Sequence, residues 1–166
     1  MSMISIRTST PRDRQAIRLV EEHAFGQPVE AGLVDALVNE GDALVELVAE
    51  EDDAIVGHIL FSRLFVEENG RKFPAVALAP LAVEPSFHNT GIGGALVREA
   101  HLRLKDAGET LSVVVGDPTY YSRFGYDRSR AEGFESEYQS EALQALAWGD
   151  APSSGRLVYA KAFGAL

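Results

Sequence analysis

Three glycines, Gly91, Gly93 and Gly94, fall within four positions of the stretch "FHNTGIGGAL" (Phe87 to Leu96), directly ahead of a run with helical periodicity. A glycine-rich turn that opens into a helix leaves backbone N–H groups without intrahelical partners. It sets them at the positive end of the helix dipole and lets a ligand approach the main chain closely. That is the physical make-up of a pyrophosphate site. A Walker-type loop is excluded, because no Gly-Lys-Ser/Thr follows. A dinucleotide-binding βαβ unit fits poorly: Leu96 stands where a third glycine is required, and the seven residues Glu84 to Thr90 separate the preceding strand from Gly91. Too little chain remains for a doubly wound sheet. A glycine-rich helix start with no ligand is the other reading of the turn taken alone.

The flanking sequence predicts an alternating α/β layout. "MISIRTS" alternates as a strand does, and Thr10-Pro11 opens a helix whose apolar positions Ile17, Val20 and Ala24 recur at helical spacing. A second helix is expected over Glu30 to Asn39. "ALVELVAE" and "AIVGHILFSRLFVE" are β-rich runs joined by a hairpin at "EDDA". "AVALAPLAV" (Ala75 to Val83) is the most apolar run and is expected as a central strand buried on both faces. Pro80 within it cannot donate a ladder hydrogen bond, so a bulge or local splaying is expected there. Gly91 to Ala107 reads as a helix with Ile92, Leu96, Ala100 and Leu104 on one face and Gly108 as its cap. "TLSVVV" is the next strand, "DPTYYSRF" a short helix and "GRLVYAKAF" a closing strand. Gly133 to Ser154 is the stretch whose structure the sequence defines least. With 166 residues, no internal repeat and no credible linker, residues 1–166 are expected to form one domain.

Composition narrows the function. No stretch resembles a signal peptide, and the longest apolar run is too short to span a bilayer, so a soluble protein without a membrane partner is expected. The chain has no cysteine, which removes disulfides, thiolate metal sites and cysteine-linked covalent intermediates and fits a reducing cytoplasm. No metal site is expected. A net charge of −10 argues against nucleic acid as a partner. The charge is unevenly spread: Arg71 to Arg130 holds eight bases and six acids, while the rest holds seven bases and nineteen acids. Apart from chance surface charge, that split suits an anionic ligand on the central segment and a cationic one facing the acidic remainder.

The passage "LAPLAVEPSFHNTGIGGALVREAHLRL" followed by "VVVGDPTYYSRFGY" resembles the GNAT superfamily of acetyl-CoA-dependent N-acetyltransferases, and within it the bacterial YhbS-like branch. The resemblance runs from about Leu78 to Tyr126, with an echo in "GRLVYAKAF". It implies an α/β fold with a central mixed, mostly antiparallel sheet, splayed at the acetyl-CoA site and flanked by helices on both faces. The family signature Gln/Arg-x-x-Gly-x-Gly/Ala falls on His88, Gly91 and Gly93, with His88 departing from the usual Gln or Arg. By this resemblance Asn89, Thr90, Gly91, Ile92, Gly93 and Gly94 form the pyrophosphate cradle. The main chain of Leu81, Ala82 and Val83 pairs with the pantetheine arm as a further strand would.

The implied reaction is direct attack by a neutral amine on the thioester in a ternary complex, and the absence of cysteine rules out an S-acetyl enzyme. An oxyanion needs a donor, for which a backbone N–H near Val83 is the natural choice. The departing thiolate benefits from a proton. In the family a tyrosine four residues before a Gly-aromatic pair often supplies it; here Tyr121 precedes Gly125-Tyr126 by that spacing, with Tyr120 as the substitute. A packing role is the ordinary fate of any single tyrosine. For the general base, Glu22, His23, Glu84 and the strand pair His58 and Ser62 are candidates beside a water chain, and His101 reads as a surface residue. The acceptor, a small-molecule or protein amine, is not named by the sequence, and a homodimer is compatible with it. A non-catalytic acetyl-CoA or acyl-CoA sensor of the same fold is the alternative function, and a dinucleotide-dependent enzyme ranks below it.

Overall fold

The computed structural model describes residues 3–166. Strand β1 (Ile4–Thr8) leads into a 3₁₀ turn and helix α1 (Arg14–Phe25). The helix start is fixed by charge. Asp13 accepts from the Thr10 backbone N–H at 2.7 Å and from both terminal nitrogens of Arg7 at 2.7 and 2.9 Å, completing a capping box. Gly26, at φ +70°, ends the helix in the left-handed conformation. Helix α2 (Val29–Asn39) follows and buries Ala31, Leu33, Val34 and Leu37.

Strands β2 (Ala43–Glu51) and β3 (Ala54–Glu68) form the expected hairpin. Asp52 and Asp53 turn it with φ of +49° and +67°, the left-handed pair that a tight two-residue turn requires and aspartate tolerates. Strand β4 (Arg71–Val83) returns along β3, then α3 (Ile92–Asp106), β5 (Leu111–Val115) and α4 (Pro118–Tyr121) follow. The remaining strands are β6 (Phe134–Glu135), β7 (Leu143–Ala147) and β8 (Gly155–Val158). The sheet runs β1-β2-β3-β4-β5-β7, with β8 pairing β3 and β6. Only β4–β5 and β6–β8 are parallel. The 15-residue β3 is shared along one edge: β2 pairs with it as far as Ser62, and β8 takes over at Phe65 to Glu67.

Side-chain alternation divides the core between the two sheet faces. Ile59, Phe61, Val76 and Leu78 point toward α3 and pack on Ile92, Leu96, Val97 and Ala100. Val48 and Leu60 point the other way, onto Ile17 of α1 and Leu33, Val34 and Leu37 of α2. Farther along that second face, Leu64, Ala75 and Val113 are covered by Phe134, Leu143 and Leu157. The architecture is the mixed, mostly antiparallel sheet with helices on both faces that the sequence implied.

One expectation of the fold needs correction. The closing strand does not extend over "GRLVYAKAF": β8 stops at Val158, and Lys161 to Ala165 coil into a 3₁₀ turn that buries Ala162 and Phe163 against α2. The least defined stretch, Gly133 to Ser154, contains β6 and β7, and β7 extends the sheet antiparallel to β5 from Leu111↔Ala147 to Val115↔Leu143.

Candidate functional site

The site begins with a break in the sheet. On β4, Leu81 faces Ile59 and Leu78 faces Phe61, so Ala79 and Pro80 together oppose Leu60. This is the bulge that Pro80 led us to expect, and it bends the strand locally. On the other edge, β4 pairs with β5 only over Val76 to Leu78. Beyond that point the strands part, leaving the β4 edge from Ala79 onward without a strand neighbour.

A cavity of about 890 Å³ lies on the α3 side of this gap, lined by Leu81 to Val83, the turn Phe87 to Gly94, Arg98 and the α4 residues Tyr120 and Tyr121. A second cavity, of about 530 Å³, lies on the α1–α2 side, lined by Glu30, Leu33, Ala77 to Leu81, Val113 to Asp117 and four aromatic side chains of later segments. Phe25, Leu81, Asp117 and Tyr121 line both. The two compartments therefore meet through the gap between β4 and β5.

The glycine turn has its donors ready. Asn89 and Gly91 adopt φ of +64° and +86°. The first intrahelical N–H of α3 is that of Ala95, which donates to the Gly91 carbonyl at 3.0 Å, and no side chain caps the helix. The amides of Ile92, Gly93 and Gly94 thus face the cavity side without an intrahelical partner. Glycine is required for space as well as conformation: a Cβ at Gly93 would lie 2.6 Å from the Tyr120 hydroxyl, and one at Gly94 would lie 3.0 Å from Arg98 Nη1. The turn is tied to the strand by His88, whose Nε2 donates to the Val83 carbonyl at 2.8 Å, and by a hydrogen bond from the Thr90 hydroxyl to the Phe87 carbonyl. The His88 ring is thereby committed to holding the turn in place.

Arg98 and Arg123 complete this cavity, and sequence reasoning singled out neither. Their guanidinium groups stack on Phe124 at 5.1 Å and Tyr120 at 4.7 Å, which holds two cations beside the open amides. Arg98 sits four residues after Gly94 and Arg123 three after Tyr120, spacings that place each on the same helical face as its neighbour. That was the signal available. An array of open amides, close backbone approach and two fixed cations fits a pyrophosphate group.

Tyr120 and Tyr121 diverge in role. The Tyr120 hydroxyl leans over Gly93, whereas the Tyr121 ring lies against Gly116, where a Cβ would approach Cε2 to 2.5 Å. Tyr121 therefore stands in the gap itself. Burial, and secondarily the neighbouring Tyr120, push its phenol well above the ordinary tyrosine range. The hydroxyl is protonated across neutral pH. Behind it, fully buried Tyr126 packs edge-on at 5.9 Å and shares hydrogen bonds with Ser112 at 2.7 Å and His101 Nε2 at 3.0 Å.

The base candidates fare differently. His58 does not line either cavity. It is completely buried between Glu21 and Glu46, with Nδ1 2.6 Å from Glu21 and Nε2 2.8 Å from Glu46. Burial would depress its pKa, but the two carboxylates overcome that and raise it. Glu46, pushed up by burial, is brought down to about 2 by hydrogen bonds from His58, Arg14 and Ser9, and Glu21 is raised by burial. The cluster ties α1 to β2 and β3. Ser62 shares the His58 face but is fully buried, outside both cavities, and its hydroxyl finds no partner among the described residues. His23 pairs with Glu84 at 2.8 Å beside the end of β4, and Glu22 faces Arg18 at 3.8 Å; none of these lines a cavity.

His101 is not a surface residue. It is 8% exposed, packed edge-on against Trp148 at 5.0 Å, and burial with Lys105 nearby lowers its pKa to about 4. The two carboxylates that do line the second cavity are Glu30 and Asp117.

The family profile described as an acetyltransferase (GNAT) domain matches residues 5–129. The chain is 34% identical over 146 residues to the uncharacterized N-acetyltransferase YhbS of Escherichia coli K12, covering 83% of this chain and 86% of that protein. It is 34% identical over 139 residues to YjhQ of the same organism, covering 82% and 77%. Among solved structures it is similar to a GNAT family acetyltransferase from Brucella melitensis in complex with acetyl-CoA, with a TM-score of 0.83 and 35% identity over 97% of this chain and 98% of that one. It also superposes on E. coli YhbS in complex with CoA, with a TM-score of 0.90 and 28% identity over 99% and 93% of the two chains. A domain match that spans the glycine turn, the parted strands and Tyr121 alike places this chain in the GNAT family of N-acetyltransferases.

Proposed function

We propose that residues 1–166 form a single N-acetyltransferase domain that transfers the acetyl group of acetyl-CoA directly to a primary amine. The observation that carries this reading is the meeting of two cavities at Leu81, Asp117 and Tyr121, one rich in open amides and cations and the other acidic and aromatic. Asn89 to Gly94 hold the pyrophosphate by main-chain N–H groups, with Arg98 and Arg123 as counter-charges. The free edge of β4 at Leu81, Ala82 and Val83 pairs with the pantetheine arm, which sets the thioester at the gap. His88 supports the turn through Val83.

In the ternary complex the neutral amine nitrogen attacks the thioester carbonyl carbon. The C–N bond forms, the C–S bond breaks and the nitrogen releases a proton to solvent. A backbone N–H near Val83 steadies the oxyanion, and the Tyr121 hydroxyl protonates the departing thiolate. Since the chain has no cysteine, no acetyl-thioester of the enzyme intervenes. The test is a panel of amines with free coenzyme A release as readout, alongside the melting temperature with and without acetyl-CoA. Turnover with at least one amine is expected. A melting shift with no turnover for any amine would instead support an acyl-CoA sensor.

A further inference from the structure

The cavity on the α1–α2 side is specific in its chemistry. Its wall is aromatic: Tyr138 and Tyr159 meet edge to face with centroids 5.1 Å apart, and Phe163 lies 5.2 Å beyond Tyr159. Burial pushes the Tyr159 phenol up to about 12 and raises that of Tyr138, with Glu137 adding to the latter. Both rings stay neutral, with their quadrupoles available to a cation. The lining contains two carboxylates, Glu30 and Asp117, and no lysine, arginine or histidine.

The carboxylates differ in commitment. Asp117 Oδ1 accepts from the Thr119 N–H at 2.9 Å and so caps α4. Glu30 is held only by the Gln27 side-chain amide, at 3.1 and 3.2 Å, and makes no ion pair among the described residues. An acidic, aromatic compartment without a compensating cation is complementary to a flat apolar body bearing one positive charge. Its volume of about 530 Å³ lies in the range of small-molecule sites. Asp117 also lines the cofactor cavity, which puts an anionic group at the throat beside Tyr121.

On these grounds, and resting on the acetyltransferase reading above, we propose that the acceptor is a small primary arylalkylamine. Its ring packs among Tyr138, Tyr159 and Phe163. Its ammonium is drawn in by Glu30 and Asp117 and, once deprotonated, faces the thioester at the gap. The nitrogen gains the acetyl carbon, the thioester sulfur leaves, and one proton passes to solvent while the sulfur receives another.

The test measures coenzyme A release from acetyl-CoA with 2-phenylethylamine, tyramine, putrescine, spermidine and a lysine-containing peptide. The arylalkylamines are expected to exceed the polyamines and the peptide in kcat/KM by at least about tenfold. Glu30→Gln and Tyr138→Ala should each raise the KM for 2-phenylethylamine by roughly tenfold, leave the KM for acetyl-CoA unchanged, and leave the acetyl-CoA melting shift intact. Preference for a polyamine or the peptide overturns the proposal, as does an arylalkylamine KM unmoved by both variants. If acetyl-CoA binds yet no arylalkylamine is acetylated, the acceptor assignment alone fails. If acetyl-CoA gives no melting shift at all, the acetyltransferase reading fails and the acceptor assignment with it.

Discussion

The Tyr121 ring lies against Gly116, so close that a Cβ on the glycine would sit 2.5 Å from Cε2. Gly116 follows directly on β5, two residues past that strand's last pair with β4, Leu78↔Val114, so the glycine sets how far the tyrosine reaches into the gap. Gly116→Ala should displace the ring and lower kcat by about tenfold, because a positioned acid loses rate on a shift of this size. The KM for acetyl-CoA should change little, since the glycine turn is untouched. Steady-state kinetics with a competent amine decide it, and an unchanged kcat would show that Tyr121 does not need this seat.

Tyr121→Phe keeps the ring volume and removes one hydroxyl. The fold and the acetyl-CoA melting shift should survive while kcat falls on the order of 10²-fold. Because burial raises the phenol above its ordinary value of 10.0, the alkaline decline it causes in the wild-type rate should begin above pH 10. The phenylalanine variant should lack that limb. Tyr120→Phe is the control, with its main effect on cofactor binding, as its hydroxyl lies over Gly93. If both variants retain wild-type kcat, another group protonates the thiolate.

Gly93→Glu places a carboxylate among the open amides, and its Cβ would already lie 2.6 Å from the Tyr120 hydroxyl. The melting shift with acetyl-CoA should disappear. Arg98→Ala should weaken binding by about fivefold to tenfold and make it less sensitive to salt, as loss of one partly exposed counter-charge requires. Isothermal titration checks both, and NAD or ATP stabilising the wild type more than acetyl-CoA would sink the cofactor assignment.

The buried cluster at His58 predicts a pH profile of stability. Glu46 titrates near 4.5 when unfolded and near 2 when folded, so its contribution is complete above pH 4.5 and is lost as the pH falls toward 2. That shift corresponds to about 3 kcal/mol. His58 has the opposite sign: its raised folded pKa gives stability that is present below about 6.5 and declines as the pH rises through the folded value. Glu21, raised by burial, also disfavours the folded state as it ionises. Urea unfolding from pH 2.5 to 8 should show a maximum between about 4.5 and 6.5. Glu46→Gln should lower that maximum and flatten the acid limb; an acid limb identical to the wild type would contradict the assignment.

What the sequence disclosed and what it hid follow from the range of the interactions. The hairpin at Asp52-Asp53, the bulge at Pro80 and the face of α3 carrying Ile92, Leu96, Ala100 and Leu104 are decided by neighbours a few positions apart, and all were legible. Period-2 counting correctly put His58 and Ser62 on one strand face. It could not say that α1 would cover that face with Glu21, 37 positions earlier. His101 reads as polar surface until Tyr126 and Trp148, 25 and 47 positions later, fold over it. β7 is short and lacks alternation because both of its sides are partly buried, and only its pairing with β5 defines it. The lining of the acidic cavity comes from α1, α2, β4, β5, α4 and later segments of the chain, so no single window contains its pattern.

The strand parting at Leu78 has a kinetic consequence. In the proposed ternary complex the nucleotide would lie on one side of the sheet and the amine on the other, which would give each ligand its own doorway. Substrates can then load in either order, and coenzyme A and the acetylated amine can depart independently. Double-reciprocal plots should intersect for every acceptor, and coenzyme A should compete with acetyl-CoA while leaving the amine's doorway open. On that reading the gap would make one sheet serve as a partition with a single window, through which only the acetyl group crosses.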